Sequence, residues 1–105
     1  MVPKLPLPVQ KFEEKYPEIW KAFSEFTDKC HDGGPLDEKS RRILKIGIAI
    51  GAGLEGGLHS AVRHALAAGI SADELRHAAV LSISTIGFPA SMRALSWIED
   101  CIGPR

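Results

Sequence analysis

Cysteine is scarce in this 105-residue chain: Cys30 and Cys101 are the only two, seventy-one positions apart, and neither belongs to a CxxC pair. That spacing excludes a compact disulfide scaffold or a thiol-rich metal centre. It leaves two reduced, buried thiols in a reducing compartment as the expectation, with a long-range disulfide as the alternative. An excess of either charge is also missing, since thirteen Lys and Arg balance thirteen Asp and Glu. The basic residues are scattered, so no nucleic-acid footprint is expected. The longest apolar run, Ile46 to Leu54, is nine residues, far short of the ~20 that cross a bilayer. No membrane partner is expected. The opening MVPKLPLPVQ has prolines where an export signal has an apolar helix, so the expected location is the cytoplasm. No GxSxG, phosphate loop or dinucleotide fingerprint is present, and no cofactor is expected.

What is present reads as helix. The length suits a single domain over 1–105, with residues 1–10 as a proline-rich extended arm. Phe12, Tyr16, Ile19, Trp20, Phe23 and Phe26 follow helical spacing. Pro17 suits a first turn, so a short turn ending near Tyr16 and a helix from Pro17 to about Cys30 are predicted. His31-Asp32-Gly33-Gly34-Pro35 ends it, which makes His31 a helix-end residue. Asp37 then offers an N-cap to a helix running to about Gly53. Beyond Lys45 that helix has no polar face, so it should be enclosed on all sides, with Gly47 and Gly51 admitting another backbone. Glu55 to Ala68 forms the next helix, closed by Gly69. Ser71 and Glu74 make a capping box for a helix to about Ile86, and Gly87-Phe88-Pro89 precedes a last one from Ala90 to about Ile102. No segment alternates long enough for a strand. The fold class is all-α, a compact bundle of five to six helices. So many apolar helices in a small chain predict burial by an identical partner.

Candidate chemistry gathers on the Glu55 helix. At about 100° per residue, Leu54, Gly57, Leu58, Ala61, Val62, Ala65 and Ala68 share one broad apolar side. Glu55, His59 and Arg63 form a polar strip along one border, and His64 lies on the other. Glu55 orienting His59 is the arrangement that general acid–base work requires; the same spacing also serves as a surface ion pair. His64 is the second candidate base, with a half-exposed contact histidine as its plainer reading. His77 falls on a polar face and is expected to be solvated. No metal site is expected, because His59 and His64, five apart, do not share a helical face. Trp20 and Trp97 lie on apolar stripes.

LDEKSRRIL at Leu36–Leu44, the small-residue helix to Gly53, HALAAGISADEL at His64–Leu75 and GFPASMRAL at Gly87–Leu95 together resemble the carboxymuconolactone decarboxylase family, which includes the alkylhydroperoxidase D-like proteins. The likeness covers roughly residues 9–102. It implies an all-α fold that assembles into trimers or hexamers. In the peroxidase branch, the resemblance implies a glutamate at the Arg42 position, cysteines at the Leu54 and Gly57 positions and a histidine at the Ala61 position. All four are absent here, and neither Leu nor Gly supplies a thiolate or a resolving thiol. The decarboxylase branch implies a histidine near Ala61, for which His64 is the nearest substitute and His59 the next. Arg42 then becomes a candidate for binding a substrate carboxylate. Three functions follow. They are a non-redox small-molecule binding or assembly protein, a cysteine-independent lyase or decarboxylase on a small carboxylic acid, and an alkylhydroperoxidase-like enzyme using Cys30 or Cys101. Whether the chain is an enzyme at all stays open at this point.

Overall fold

A computed structural model describes residues 5–103. Among them are six helices: α1 Leu7–Lys15, α2 Pro17–His31, α3 Glu38–Ala52, α4 Glu55–Ala67, α5 Ala72–Ile86 and α6 Phe88–Ile102. No described residue is in a strand. The fold is all-α.

The helix ends follow the capping residues. Asp37 accepts from the Ser40 amide at 2.8 Å and opens α3. Gly53, at φ 68°, closes α3 in the left-handed region that a side chain disfavours. The Ser71–Glu74 box is complete: Ser71 Oγ accepts from the Glu74 amide at 3.1 Å, and Glu74 Oε1 from the Ser71 amide at 3.0 Å. Two expected boundaries shift because of proline. Residues 7–10 are not an extended arm but the first turn of α1, with Pro8 where a missing N–H removes no helical bond. Residues 1–4 of that expected arm lie outside the described residues. Pro89 likewise sits in the first turn of α6, which starts at Phe88, two residues earlier than expected; Gly87, at φ 98°, alone joins α5 to α6.

By its internal contacts the chain falls into two compact units, one ending at Leu36 and the other beginning at Asp37. In the first, α1 and α2 contribute no buried residue. Their aromatics meet one another, Phe12 with Tyr16 at 5.2 Å between ring centroids and Trp20 with Phe23 at 5.8 Å.

The second unit holds the core. Ile46, Ala49 and Ile50 of α3, Leu58, Val62 and Ala65 of α4, Ile70 in the turn that follows, Leu75 and Ala79 of α5, and Ala94 and Ile98 of α6 are all buried. Each large aliphatic among them is worth roughly 1.5–3 kcal/mol of burial, and the alanines let helices approach closely. Three cross-links frame this core. Lys39 pairs with Glu74 between the starts of α3 and α5. Arg76 pairs with Glu99, and the Ser82 and Ser91 hydroxyls meet at 2.7 Å. Both contacts converge on Gly87, so α5 and α6 run antiparallel. Ser91 is fully buried and donates to the Gly87 carbonyl at 2.8 Å, which satisfies its hydroxyl.

The expectation that α3 is enclosed all round is not met within the chain. Only one arc of α3 is buried, while Leu44 and Ile48 are 52% and 60% exposed. A Cβ added at Gly47 or Gly51 would meet nothing within 4 Å, so among the described residues of this unit no backbone approaches them. The buried arc of α4 is likewise narrower than predicted: Leu58, Val62 and Ala65 are inside, Ala61 is half-buried, and Leu54, Gly57 and Ala68 are exposed. Four helices around one core offer each helix a single covered face.

Candidate functional site

Helix α4 carries most of the candidate residues. Its N-cap, Leu54, has no side-chain acceptor for the orphan amides. Instead its side chain lies over Gly57: a Cβ added at 57 would sit 3.2 Å from Leu54 Cβ and 3.4 Å from Cδ1. Positions 54 and 57 therefore form one small hydrocarbon surface.

His59 and His64 project about 140° apart and are held by different partners. His59 Nε2 lies 3.3 Å from Asp100 Oδ2 of α6, and its side chain is 24% exposed. The expected orientation of His59 by Glu55 is thus replaced by a carboxylate forty-one residues away. The cause is the packing of α6 along that border of α4, which no local spacing encodes. Glu55 is exposed in the first turn of α4, where its charge suits the positive end of the helix. On the other border, half-buried His64 places Nδ1 2.8 Å from the Ser60 carbonyl, one turn back. A carbonyl only accepts, so Nδ1 carries the proton and Nε2 of the neutral ring keeps its lone pair. His77 is exposed, as expected, and His31 is the last residue of α2.

Arg42 is engaged on its own helix. Its Nε donates to Glu38 Oε2 at 2.8 Å, and Arg41 Nη2 reaches Glu38 Oε1 at 3.2 Å. No hydrogen bond or ion pair among the described residues joins Arg42 to Glu55, His59 or His64.

Both cysteines are free; Cys30 is exposed and Cys101 half-buried. The Cys101 Sγ lies 3.7 Å from the His59 carbonyl oxygen. Desolvation pushes its thiol up, against a smaller pull from Arg63 and alongside a push from Asp100.

Two residues that the sequence reading did not single out complete this region. Asp100 is the His59 partner; its signal would have been tertiary. Arg93 has its guanidinium 5.2 Å from the Trp97 ring centroid and Nη2 3.1 Å from where a Cβ on Gly53 would stand. The four-residue spacing of Arg93 and Trp97 was the available clue.

Six helices with no described strand, a small aliphatic core and histidine-bearing α4 at its centre define a small all-helical protein whose candidate groups sit on one helix and its neighbour. The chain belongs to the carboxymuconolactone decarboxylase family, whose model matches residues 17–100, from the first residue of α2 almost to the end of α6. No curated protein matches the chain, and no solved structure does.

Proposed function

We propose that this member of the family works without thiol redox chemistry, as a small-molecule binding protein assembled from identical copies. The observation that carries this reading is the Leu54–Gly57 surface. The positions that the family resemblance assigns to reactive sulfur hold a leucine folded over a glycine. The two cysteine sulfurs are carried at positions 30 and 101, and the half-buried Cys101 thiol is shifted away from thiolate, the reactive form. The exposed Leu44 and Ile48, flanking the open Gly47 and Gly51, support assembly through α3 into a trimer or hexamer. A cytoplasmic, reducing setting belongs to the same reading.

A peroxide challenge with thiol titration tests the chemistry. Both cysteines are expected to titrate unchanged while the peroxide persists, whereas stoichiometric thiol loss with peroxide consumption would sink the reading. Sedimentation tests the assembly. A species at the protomer mass of 11.4 kDa would sink that half of it.

One observation favours a second reading, proton transfer on a small carboxylic acid. Both α4 histidines have one ring nitrogen fixed by a partner, which leaves the other as a defined base. Comparing decarboxylation of a muconolactone-type acid by the parent protein and by His64→Ala decides the role of His64; equal rates remove it.

A further inference from the structure

We infer that α2 is a two-fold interface between copies of this chain, in which its exposed aromatic stripe packs antiparallel on the same stripe of a partner. The inference rests on the assembly half of the reading above and names a contact that α3 does not supply.

Ile19, Phe23, Phe26 and Cys30 recur at spacings of four, three and four residues, the seam spacing of a helix that pairs with another helix. Ile19, Phe23 and Phe26 are 58%, 53% and 64% exposed, and Cys30 is exposed with them. Together with Ala22 they fall within an arc of about 100°. The half-buried residues of α2, namely Trp20, Ser24, Thr27 and His31, lie on another side. The stripe is thus an open face of its own, with aromatic rings left in water.

Charge along one border of the stripe selects the occupant. Glu18, Glu25 and Asp28 alternate with Lys21 and Lys29 on α2, a mixture that suits neither a lipid surface nor a nucleic acid. Glu18 stands at the start of the border and Lys29 at its end. A parallel pair of α2 helices would set Glu18 against Glu18 and Lys29 against Lys29. An antiparallel pair turns the border end for end and sets each Glu18 against the partner's Lys29, twice by symmetry. Glu25, nearest the two-fold axis, points furthest from the stripe and has Lys21 and Lys29 one turn to either side.

Shape agrees with the same register. Glu18, Lys21, Ala22, Glu25, Phe26 and Lys29 line an open groove of about 660 Å³ along that border. Ala22 presents only a methyl group there, so Ile19, Ala22, Phe23 and Phe26 bound a hollow that accepts an aromatic knob. In the antiparallel pair Phe26 of each copy fills the hollow of the other. Ile19 then lies level with the partner's Cys30, while the two Cys30 residues stand about 16 Å apart along the axis.

Sedimentation of the full chain reads the pairing, and a short thiol-to-thiol cross-linker reads its register. A two-fold contact doubles whatever assembly α3 builds, so Phe26→Glu is expected to halve the sedimenting mass with helicity retained. Phe26→Ala should weaken the pairing at least about tenfold. Glu18→Lys should also weaken it, and adding Lys29→Glu should restore it, because an antiparallel pair keeps opposite charges together. In Ile19→Cys the cross-linker should join position 19 of one copy to Cys30 of the other, and the parent should yield no Cys30–Cys30 product. Such a product in the parent, a double charge swap that fails to restore pairing, or a mass indifferent to Phe26→Glu would overturn the inference. A parent at the protomer mass removes the assembly reading as well; an oligomeric parent that Phe26→Glu leaves unchanged removes the α2 contact alone and assigns the stripe to a different partner.

Discussion

Arg76 of α5 grips Glu99 of α6 through two parallel hydrogen bonds, Nε to Oε2 at 2.7 Å and Nη2 to Oε1 at 3.1 Å, while its Nη1 reaches Asp73 at 2.8 Å. The planar guanidinium matches a carboxylate in this fork. The contact ties the open ends of the α5–α6 hairpin, opposite Gly87. A double-mutant cycle of Arg76→Gln and Glu99→Gln should show favourable coupling in Tm that shrinks in 1 M salt, since both side chains are partly solvated. Independent effects of the two substitutions would show that the fork contributes nothing.

Glu74 gives stability an acid-side dependence. Its hydrogen bond to Lys39, then those to the Ser71 backbone and hydroxyl, hold its carboxyl down to about 2 from an ordinary 4.5. A carboxyl depressed in the folded state stabilises above its unfolded value, and that contribution is lost as pH falls through the folded one. Between pH 4.5 and 2 the Tm of the parent should therefore fall more steeply than that of Glu74→Gln. Asp37, lowered mainly by its hydrogen bond to Ser40, acts in the same direction in both proteins. Parallel pH curves would contradict the assignment.

Gly53→Ala should lower stability by about 1 kcal/mol or more, because φ 68° is a left-handed conformation that a Cβ disfavours. The added carbon would also approach Arg93 Nη2 at 3.1 Å. That group is the far end of a flexible side chain and can move away. Denaturant unfolding measures the loss, and Gly53→Asn should lose less than Gly53→Ala.

Leu58→Ala and Ile48→Ala separate the covered face from the open one. Leu58 is fully buried, so its truncation should cost about 2–5 kcal/mol. Ile48 is 60% exposed in the protomer, so truncation should barely change helix content or protomer unfolding. If copies meet on α3, Ile48→Glu should shift the sedimenting species to smaller size with helicity retained. An unchanged species would place the contact elsewhere.

Local signals decided the helices and their ends. Asp37, Gly53, Ser71 with Glu74, Gly69 and Gly87 act through backbone conformation or through donors within three residues, so sequence alone places them. The two misplaced starts, at α1 and α6, share one cause: a proline is compatible both with an extended segment and with a first helical turn, and only the following turn distinguishes them. The absence of sulfur at positions 54 and 57 is likewise a fact of the sequence.

Packing decided the rest. Apolar periodicity marked α3 and α4 as largely buried, but the width of the covered arc depends on how many neighbours arrive, and Ile48 and Leu54 were left outside. Glu55 and His59 had the right spacing for a pair, yet α6 brought Asp100 to the imidazole first. Sequence by itself determined which segments are helical and the ends marked by Asp37, Gly53, Ser71 and Gly69, because those choices are made within a few residues. Tertiary structure alone chose which charged group meets which histidine, because a partner forty-one residues away exists only once the helices have packed.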